Sequence, residues 1–360
     1  MRDQLAGRLL DQLLDWDDDE RTTWIGNLSR LAEHKFDDYE GFSAGERFFE
    51  RLARWLAQFA MPERRRLIRF LLTELVFISR AEMNQAIACA YPHHIKHLLI
   101  DQAANEIGTS RHNVSQVTSS DEFKSLRRRT LFLGLSDGAR LDILRRSSHE
   151  LSHEQFSLAP ELGSYAQESM LEKLSVALGM EGPGYSVPFK NVVLVDDFYG
   201  SGTSLIDKRS DETWKGKLER ARTHLNNLAD RIPSAIDQEP SVIVVIYVAS
   251  SLARRHIQQM LSEFEPTWQL IVVQELPDSI RVDEEQLCVI CQEFWDEAME
   301  DDHKGSAPLG YKNVALPVVL FHNTPNNSVS VLWADTEHTP ESKARRALFP
   351  RYERHHADRP

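Results

Sequence analysis

The sequence predicts an α/β fold, a mainly parallel sheet covered by helices, with an all-helical domain in front of it. Two observations carry this. From Met1 to about Gly108 apolar residues recur at helical spacing, whereas beyond Thr130 short runs rich in Val, Ile and Leu alternate with amphipathic stretches. Strands that are apolar along their whole length are buried on both faces, as in parallel sheets.

In the N-terminal part, Phe48, Phe49, Leu52, Trp55, Leu56 and Phe59 share one helix face. Pro62 suits the first turn of a following helix, whose apolar stripe runs through Leu67, Ile68, Leu71, Leu72, Leu75 and Val76. Residues Thr109 to Asp121 are rich in Ser, Thr and Asn and follow neither period, so a domain boundary is expected there. Strands are then expected at Thr130 to Leu135, Asn191 to Val195, Ser241 to Ala249, Trp268 to Val273 and Leu316 to Phe321. Helices are expected at Tyr165 to Leu178, Trp214 to Arg231, Ser250 to Leu261 and Asp283 to Met299. The expected organisation is a helical domain over 1–121, an α/β domain over 122–335 and a C-terminal tail over 336–360.

Charge and composition narrow the function. The chain of 360 residues carries 55 acidic and 42 basic side chains, a formal charge of −13 that argues against direct nucleic-acid binding and against anionic membranes. Arg64-Arg65-Arg66 and Arg127-Arg128-Arg129 are local basic runs, read as solvated faces. Three cysteines and no secretory segment after Met1 give no disulfide framework, and the longest apolar run, Val242 to Ala249, falls far short of the roughly 20 residues that cross a bilayer. A cytoplasmic protein is expected.

Asn191-Val-Val-Leu-Val-Asp-Asp-Phe-Tyr-Gly-Ser-Gly-Thr-Ser-Leu-Ile206 is the most informative stretch. A strand delivers Asp196 and Asp197 to its C-terminal end, the edge where open α/β sheets bind ligands. A small-residue turn follows and should open a helix. Gly200 and Gly202 let the backbone approach a ligand, successive N–H groups form a cradle for an oxyanion, and Ser201, Thr203 and Ser204 add hydroxyls. Carboxylates repel phosphate, so Asp196 and Asp197 suit sugar hydroxyls beside it, or magnesium bound directly or through water. The bland alternative is an ordinary turn after a strand. The stretch lacks the lysine of a Walker A loop and the glycine spacing of the dinucleotide fingerprint.

Four apolar residues, Asp-Asp, two apolar residues and Gly-Ser-Gly-Thr-Ser resemble the phosphoribosyl pyrophosphate (PRPP) signature of type I phosphoribosyltransferases. The resemblance implies a sheet of phosphoribosyltransferase type, with Asp196 and Asp197 on the ribose 2- and 3-hydroxyls and Gly200 to Ser204 around the 5-phosphate. It also implies a glycosyltransferase-class enzyme of nucleotide metabolism that uses magnesium. Where some members carry an acidic base this chain has Gly200, so the acceptor must arrive deprotonated, use another base or be water. A non-catalytic module sensing PRPP or a nucleotide and docking a partner through its helical domain is the alternative.

Gly134-Leu-Ser-Asp-Gly-Ala-Arg140 lies where this family places its pyrophosphate loop. Ser136, Asp137 and Gly138 amides with the Arg140 guanidinium suit a diphosphate, and equally suit a plain turn with a surface arginine. The wider chain resembles the phosphoribosyltransferase-like proteins of bacterial conflict and anti-phage gene neighbourhoods. That likeness rests on the helical N-terminus with Phe77-Ile-Ser-Arg-Ala-Glu-Met83, on the Gly134-Leu-Ser-Asp-Gly138 turn, on His322-Asn-Thr-Pro-Asn-Asn327 and on Ala347-Leu-Phe-Pro-Arg351. It implies an antiviral effector and a protein partner from a defence operon, met through the N-terminal helices. Because His322 follows an apolar run, His322, Asn323 and Asn327 are expected at the sheet's ligand edge as an acceptor pocket, with Trp333 to stack on a base; a plain turn fits these residues as well.

Two further patterns are weaker. His149-Glu-Leu-Ser-His153 has zinc-protease spacing, but a charged Glu154 follows and no third ligand stands out. Cys288-Val-Ile-Cys291 falls in an amphipathic stretch without a second pair, so core cysteines are expected.

Overall fold

The computed structural model describes residues 2–159, 164–179, 187–296, 307–335 and 345–351. In chain order its strands are β1 (Val76–Ile78), β2 (Thr130–Gly134), β3 (Phe156–Leu158), β4 (Phe189–Tyr199), β5 (Asp207–Lys208), β6 (Trp214–Lys215), β7 (Ile236–Ser250), β8 (Gln269–Leu276) and β9 (Val318–Leu320). The chain forms two compact units, one made of Met1–Met83 with Asp278–Pro360 and the other of Asn84–Pro277.

The second unit holds the expected sheet. Five strands lie in the order β3-β2-β4-β7-β8, and every neighbouring pair is parallel. Val192 to Val195 in the middle strand and Ile243 to Ala249 beside it have no exposed surface, as continuous apolar runs in a doubly covered sheet require. The helices Lys217–Arg231 and Ser251–Phe264 cover it, the first burying Leu218, Ala221, Leu225 and Leu228 and the second Ala253, Ile257 and Leu261. Burying each of the Leu and Ile side chains contributes about 1.5–3 kcal/mol, and they share one core with the sheet strands.

The expected boundary at 121/122 does not divide these units. The helix Lys96–Ile107 and the short helices Val114–Ser119 and Asp121–Arg128 belong with the sheet. Leu99, Ile100, Phe123 and Leu126 are buried, Gln102 reaches Ser241 at 3.3 Å and Lys190 pairs with Glu106. The polar Thr109 to Asp121 stretch is thus a pair of turns and a helix, not a linker.

The first unit is mainly helical, with Arg2–Leu14, Asp18–His34, Phe48–Leu56, Met61–Thr73 and Glu285–Phe294. It also contains a two-stranded parallel sheet in which β9 lies within the strand expected at Leu316 to Phe321, while β1 begins at Val76, expected on the preceding helix, which instead ends at Thr73. Phe36 is the hub of its aromatic core, with Phe48, Phe77 and Phe349 at ring-centroid distances of 4.6, 5.2 and 5.7 Å. The expected tail over 336–360 therefore contains core residues. Ala347, Leu348 and Phe349 are fully buried, the Phe349 amide bonds the Leu332 carbonyl at 2.8 Å, and Arg51 Nε donates to the Ala347 carbonyl at 2.8 Å.

Candidate functional site

The C-terminal ends of β2 and β4 carry the two loops singled out by the sequence. Gly134 pairs with Val195 in the parallel register, and the Leu135 amide continues it to the Val195 carbonyl at 2.9 Å. Strand β4 runs past Val195, where the apolar run stops, because β7 pairs with it out to Tyr199 and Ala249. Asp196 and Asp197 are therefore strand residues, and adjacent strand residues point to opposite faces.

The two carboxylates accordingly differ. Asp196 is completely buried and its oxygens are occupied: Oδ1 accepts from Ser136 Oγ at 2.5 Å, and Oδ2 accepts from Lys217 Nζ at 2.5 Å and from the Tyr199 hydroxyl. Burial and the neighbouring Asp197 charge push its carboxyl above the usual carboxylate range, while Lys217 and Ser136 pull against them. Burial likewise raises the Tyr199 phenol well above its ordinary value, and Asp196 adds to the effect, so this hydroxyl stays a donor. Asp197 is only half-buried and its carboxylate packs against Gly138, where any β-carbon would collide with it. The Ser136 to Arg140 loop and the aspartates are thus brought together. On the same loop Tyr247 donates to the Ala139 carbonyl at 2.9 Å, and Arg140 takes left-handed backbone angles to start the helix Leu141–Ser147.

The Gly200 to Ser204 loop is tightly tied. Ser250 Oγ donates to the Gly200 carbonyl at 2.5 Å, and Ser201 and Thr203 share a hydroxyl bond of 3.1 Å. Gly202 has φ +82°, and a β-carbon there would lie 2.9 Å from Ile257 Cγ1 and 3.0 Å from the Ala253 carbonyl oxygen. Only glycine suits both demands. The expected helix does not open here. The loop makes a single turn, with the Leu205 and Ile206 amides on the Gly202 carbonyl, and then enters the β5–β6 hairpin; the helix starts at Lys217. Lys217 and Leu218 return to the loop, their amides bonding the Ser204 and Leu205 carbonyls at 3.2 and 3.0 Å.

Among the described residues, the amides of Ser201, Gly202, Thr203 and Ser204 donate to no protein acceptor, and neither do those of Ser136, Asp137 and Gly138. Ser201 and Thr203 are nonetheless buried. Buried backbone donors ordinarily find partners, so successive unspent ones in the loops that follow two paired strands suit an anionic ligand. Hard carboxylate oxygens also suit magnesium, which takes one or two protein carboxylates and fills the rest of its shell with phosphate oxygens and water. Asp197 is the residue that would hold it; Asp196, expected beside it on magnesium and the ribose hydroxyls, is enclosed with both oxygens engaged by Ser136, Lys217 and Tyr199, and among the described residues no cluster of three or more His, Cys, Asp or Glu forms a cage.

The other expected residues have different neighbours. His322, Asn323 and Asn327 follow β9, which pairs with β1 in the first unit and not with the five-stranded sheet. They do not continue the edge where Asp197 lies, because the apolar run before them forms a different sheet. Asn323 Oδ1 accepts the Thr324 amide at 2.9 Å, a local bond, and Asn327 donates to the Tyr311 carbonyl at 3.3 Å, which ties together two separate segments of this unit. Trp333 is buried, its indole N–H on the Ser328 carbonyl at 2.8 Å and Arg351 over its ring.

His149 to His153 spans turns beyond the helix Leu141–Ser147, not one helix face. Glu150 is held by Lys96 and Arg127 at 2.6 and 3.2 Å, and Glu154 by Arg128. The Arg127 to Arg129 run is thus ion-paired, Arg129 with Asp237 at 3.5 Å. Cys291 is a buried core residue as expected, its thiol pushed up to about 12 by burial, and Cys288 is half-buried. Sequence reasoning missed Tyr199, Lys217, Tyr247 and Ser250, whose only signal was proximity to the loops once folded.

An Asp-Asp pair at the end of the middle strand of a parallel sheet, followed by a Gly-Ser-Gly-Thr-Ser turn, defines a phosphoribosyltransferase-type α/β protein. A family model described as PRTase-CE matches residues 52–351, and the chain belongs to that family. The match covers most of the chain and includes residues of both units. Comparisons with curated proteins and with solved structures gave no match. Among the described residues no helix is long and apolar enough to cross a membrane.

Proposed function

We propose that the site binds PRPP, or a ligand sharing its ribose 5-phosphate, together with magnesium, and transfers the phosphoribosyl group to a nucleotide-related acceptor. The single observation that carries this reading is the set of unspent amides in two loops, one packed against Asp197 and the other following it in the chain. In this arrangement the Gly200 to Ser204 loop holds the 5-phosphate, Asp197 accepts from ribose hydroxyls, and the Ser136 to Gly138 amides with Arg140 meet the diphosphate. Magnesium, when bound, neutralises charge that grows on departing pyrophosphate. The loops meanwhile orient the sugar so that the anomeric carbon faces the acceptor, and preorganised donors stabilise the leaving diphosphate without reorganising. The test is calorimetric titration of PRPP with magnesium, paired with a pyrophosphate-release assay across bases and nucleotides.

One observation favours a second reading, in which the same pocket senses its ligand without turnover. Gly200 offers no side chain to act as base on an acceptor, and Asn323 and Asn327, expected to read an acceptor, bond to backbone of the first unit. Tight PRPP binding with no pyrophosphate release would favour it. The anti-phage role and a partner docked through the helical domain extend either reading, and co-purification from cells expressing the neighbouring genes tests them.

A further inference from the structure

Lys217 links the two ends of the Gly200 to Ser204 loop. Its amide bonds the Ser204 carbonyl at 3.2 Å, at the far end of the loop, while its Nζ lies 2.5 Å from Asp196 Oδ2, on the strand that leads into the loop. The side chain therefore runs beside the loop from its last residue back to its root. It passes the Tyr199 ring, whose centroid is 5.5 Å from Nζ. The Asp196 carboxylate is wholly enclosed, but the Lys217 side chain keeps 20% of its surface exposed. Asp196 thus anchors the ammonium, while the side chain that carries it reaches the surface.

The loop offers only neutral donors, the amides of Ser201 to Ser204 and three hydroxyls. A phosphate monoester at neutral pH carries nearly two negative charges, about −1.5 to −2. Loops that cradle phosphate commonly add a lysine to their amides, and a charge-assisted bond is roughly twice as strong as a neutral one. Lys217 is placed to supply that charge, and Asp196 fixes it without itself needing to touch the ligand.

Resting on the phosphoribosyl reading above, we propose that Lys217 is the cation of the phosphate subsite, pairing with the ligand's 5-phosphate, and that Asp196 is a positioning residue holding the ammonium beside the loop. The two adjacent aspartates then do different work, Asp197 toward the ribose and Asp196 toward Lys217.

The test uses the full chain and titrates ribose 5-phosphate, with ribose as control, into wild type, Lys217→Met, Lys217→Arg and the double variant Asp196→Asn with Lys217→Met. Removing one partner of a buried pair destabilises a fold, whereas replacing both is often tolerated, so the double variant separates folding from binding. The expected result is ribose 5-phosphate affinity weakened about tenfold or more by Lys217→Met, the loss of one charge-assisted bond. Lys217→Arg should restore most of it. The double variant should recover the thermal midpoint lost in the single variant while its affinity stays weak. The salt dependence of binding should also become shallower without the cation. Wild-type affinity in Lys217→Met, or affinity recovered together with stability in the double variant, overturns the proposal and leaves the phosphoribosyl reading intact. A wild-type protein that binds neither ribose 5-phosphate nor PRPP overturns both.

Discussion

Ser250 fastens the Gly200 loop to the helix that follows the neighbouring strand. Its Oγ donates to the Gly200 carbonyl at 2.5 Å and accepts from the Ala253 amide at 2.9 Å, so one hydroxyl both caps the Ser251–Phe264 helix and fixes the start of the loop. Ser250→Ala removes the cap and leaves a buried carbonyl unsatisfied, an expected loss of about 1–3 kcal/mol. Thermal unfolding should show the loss, and PRPP titration should show weakened binding even at temperatures where the variant is fully folded.

Gly202 meets a stricter demand. Its φ of +82° is strained for any other residue, and an added β-carbon would sit 2.9 Å from Ile257 Cγ1. Gly202→Ala is expected to cost about 1–3 kcal/mol. It should also disrupt phosphate binding more than Ser204→Ala does, since Ser204 is exposed. Comparing unfolding midpoints and ribose 5-phosphate affinities of the two variants checks the order.

Phe349 lies in the aromatic core of the first unit and is fully buried, close to Phe36, Tyr39 and Phe48. Phe349→Ala should cost about 3–5 kcal/mol, the range for a deleted core aromatic. Chemical denaturation measures it. A loss under about 1 kcal/mol, typical of exposed positions, would show that the segment is a tail after all.

Glu82 gives a pH dependence. Burial acts to raise its carboxyl, but Lys35 at 2.7 Å and bonds from the Ser79 amide and hydroxyl outweigh it, so the folded value lies below the ordinary one. A depressed folded value stabilises the fold above the unfolded value, about 4.3, and that stability is lost as pH falls through the folded value. Glu82→Gln should therefore lower the unfolding midpoint at pH 7 and converge on wild type in acid. Parallel midpoint-against-pH curves would contradict the assignment.

Much of the second unit was legible in sequence. Continuous apolar runs such as Val242 to Ala249 marked buried parallel strands, and the dense small residues from Gly200 to Ser204 marked a loop with unusual backbone demands. Pairings between distant segments leave no local trace. Val318–Leu320 has the same apolar character as the sheet strands, yet it pairs with Val76–Ile78, and that is what removed His322 from the expected edge. The helix expected directly after the loop was displaced by a hairpin whose strands have two residues each, too short to show alternation. Ala347-Leu-Phe349 looked like a tail because three apolar residues among charges carry no period. The different environments of Asp196 and Asp197 follow from strand alternation, but only once β4 was seen to continue through both.

Asp197, with one amide-lined loop packed against it and another following it in the chain, is proposed to form a ribose phosphate site. Titration of PRPP with magnesium into wild type and Asp197→Asn tests it most directly. The expected result is saturable binding to wild type and at least about tenfold weaker binding to a variant of unchanged thermal midpoint, the loss of a charged hydrogen-bond acceptor. Equal affinity for the two proteins, or no binding to wild type, would contradict it.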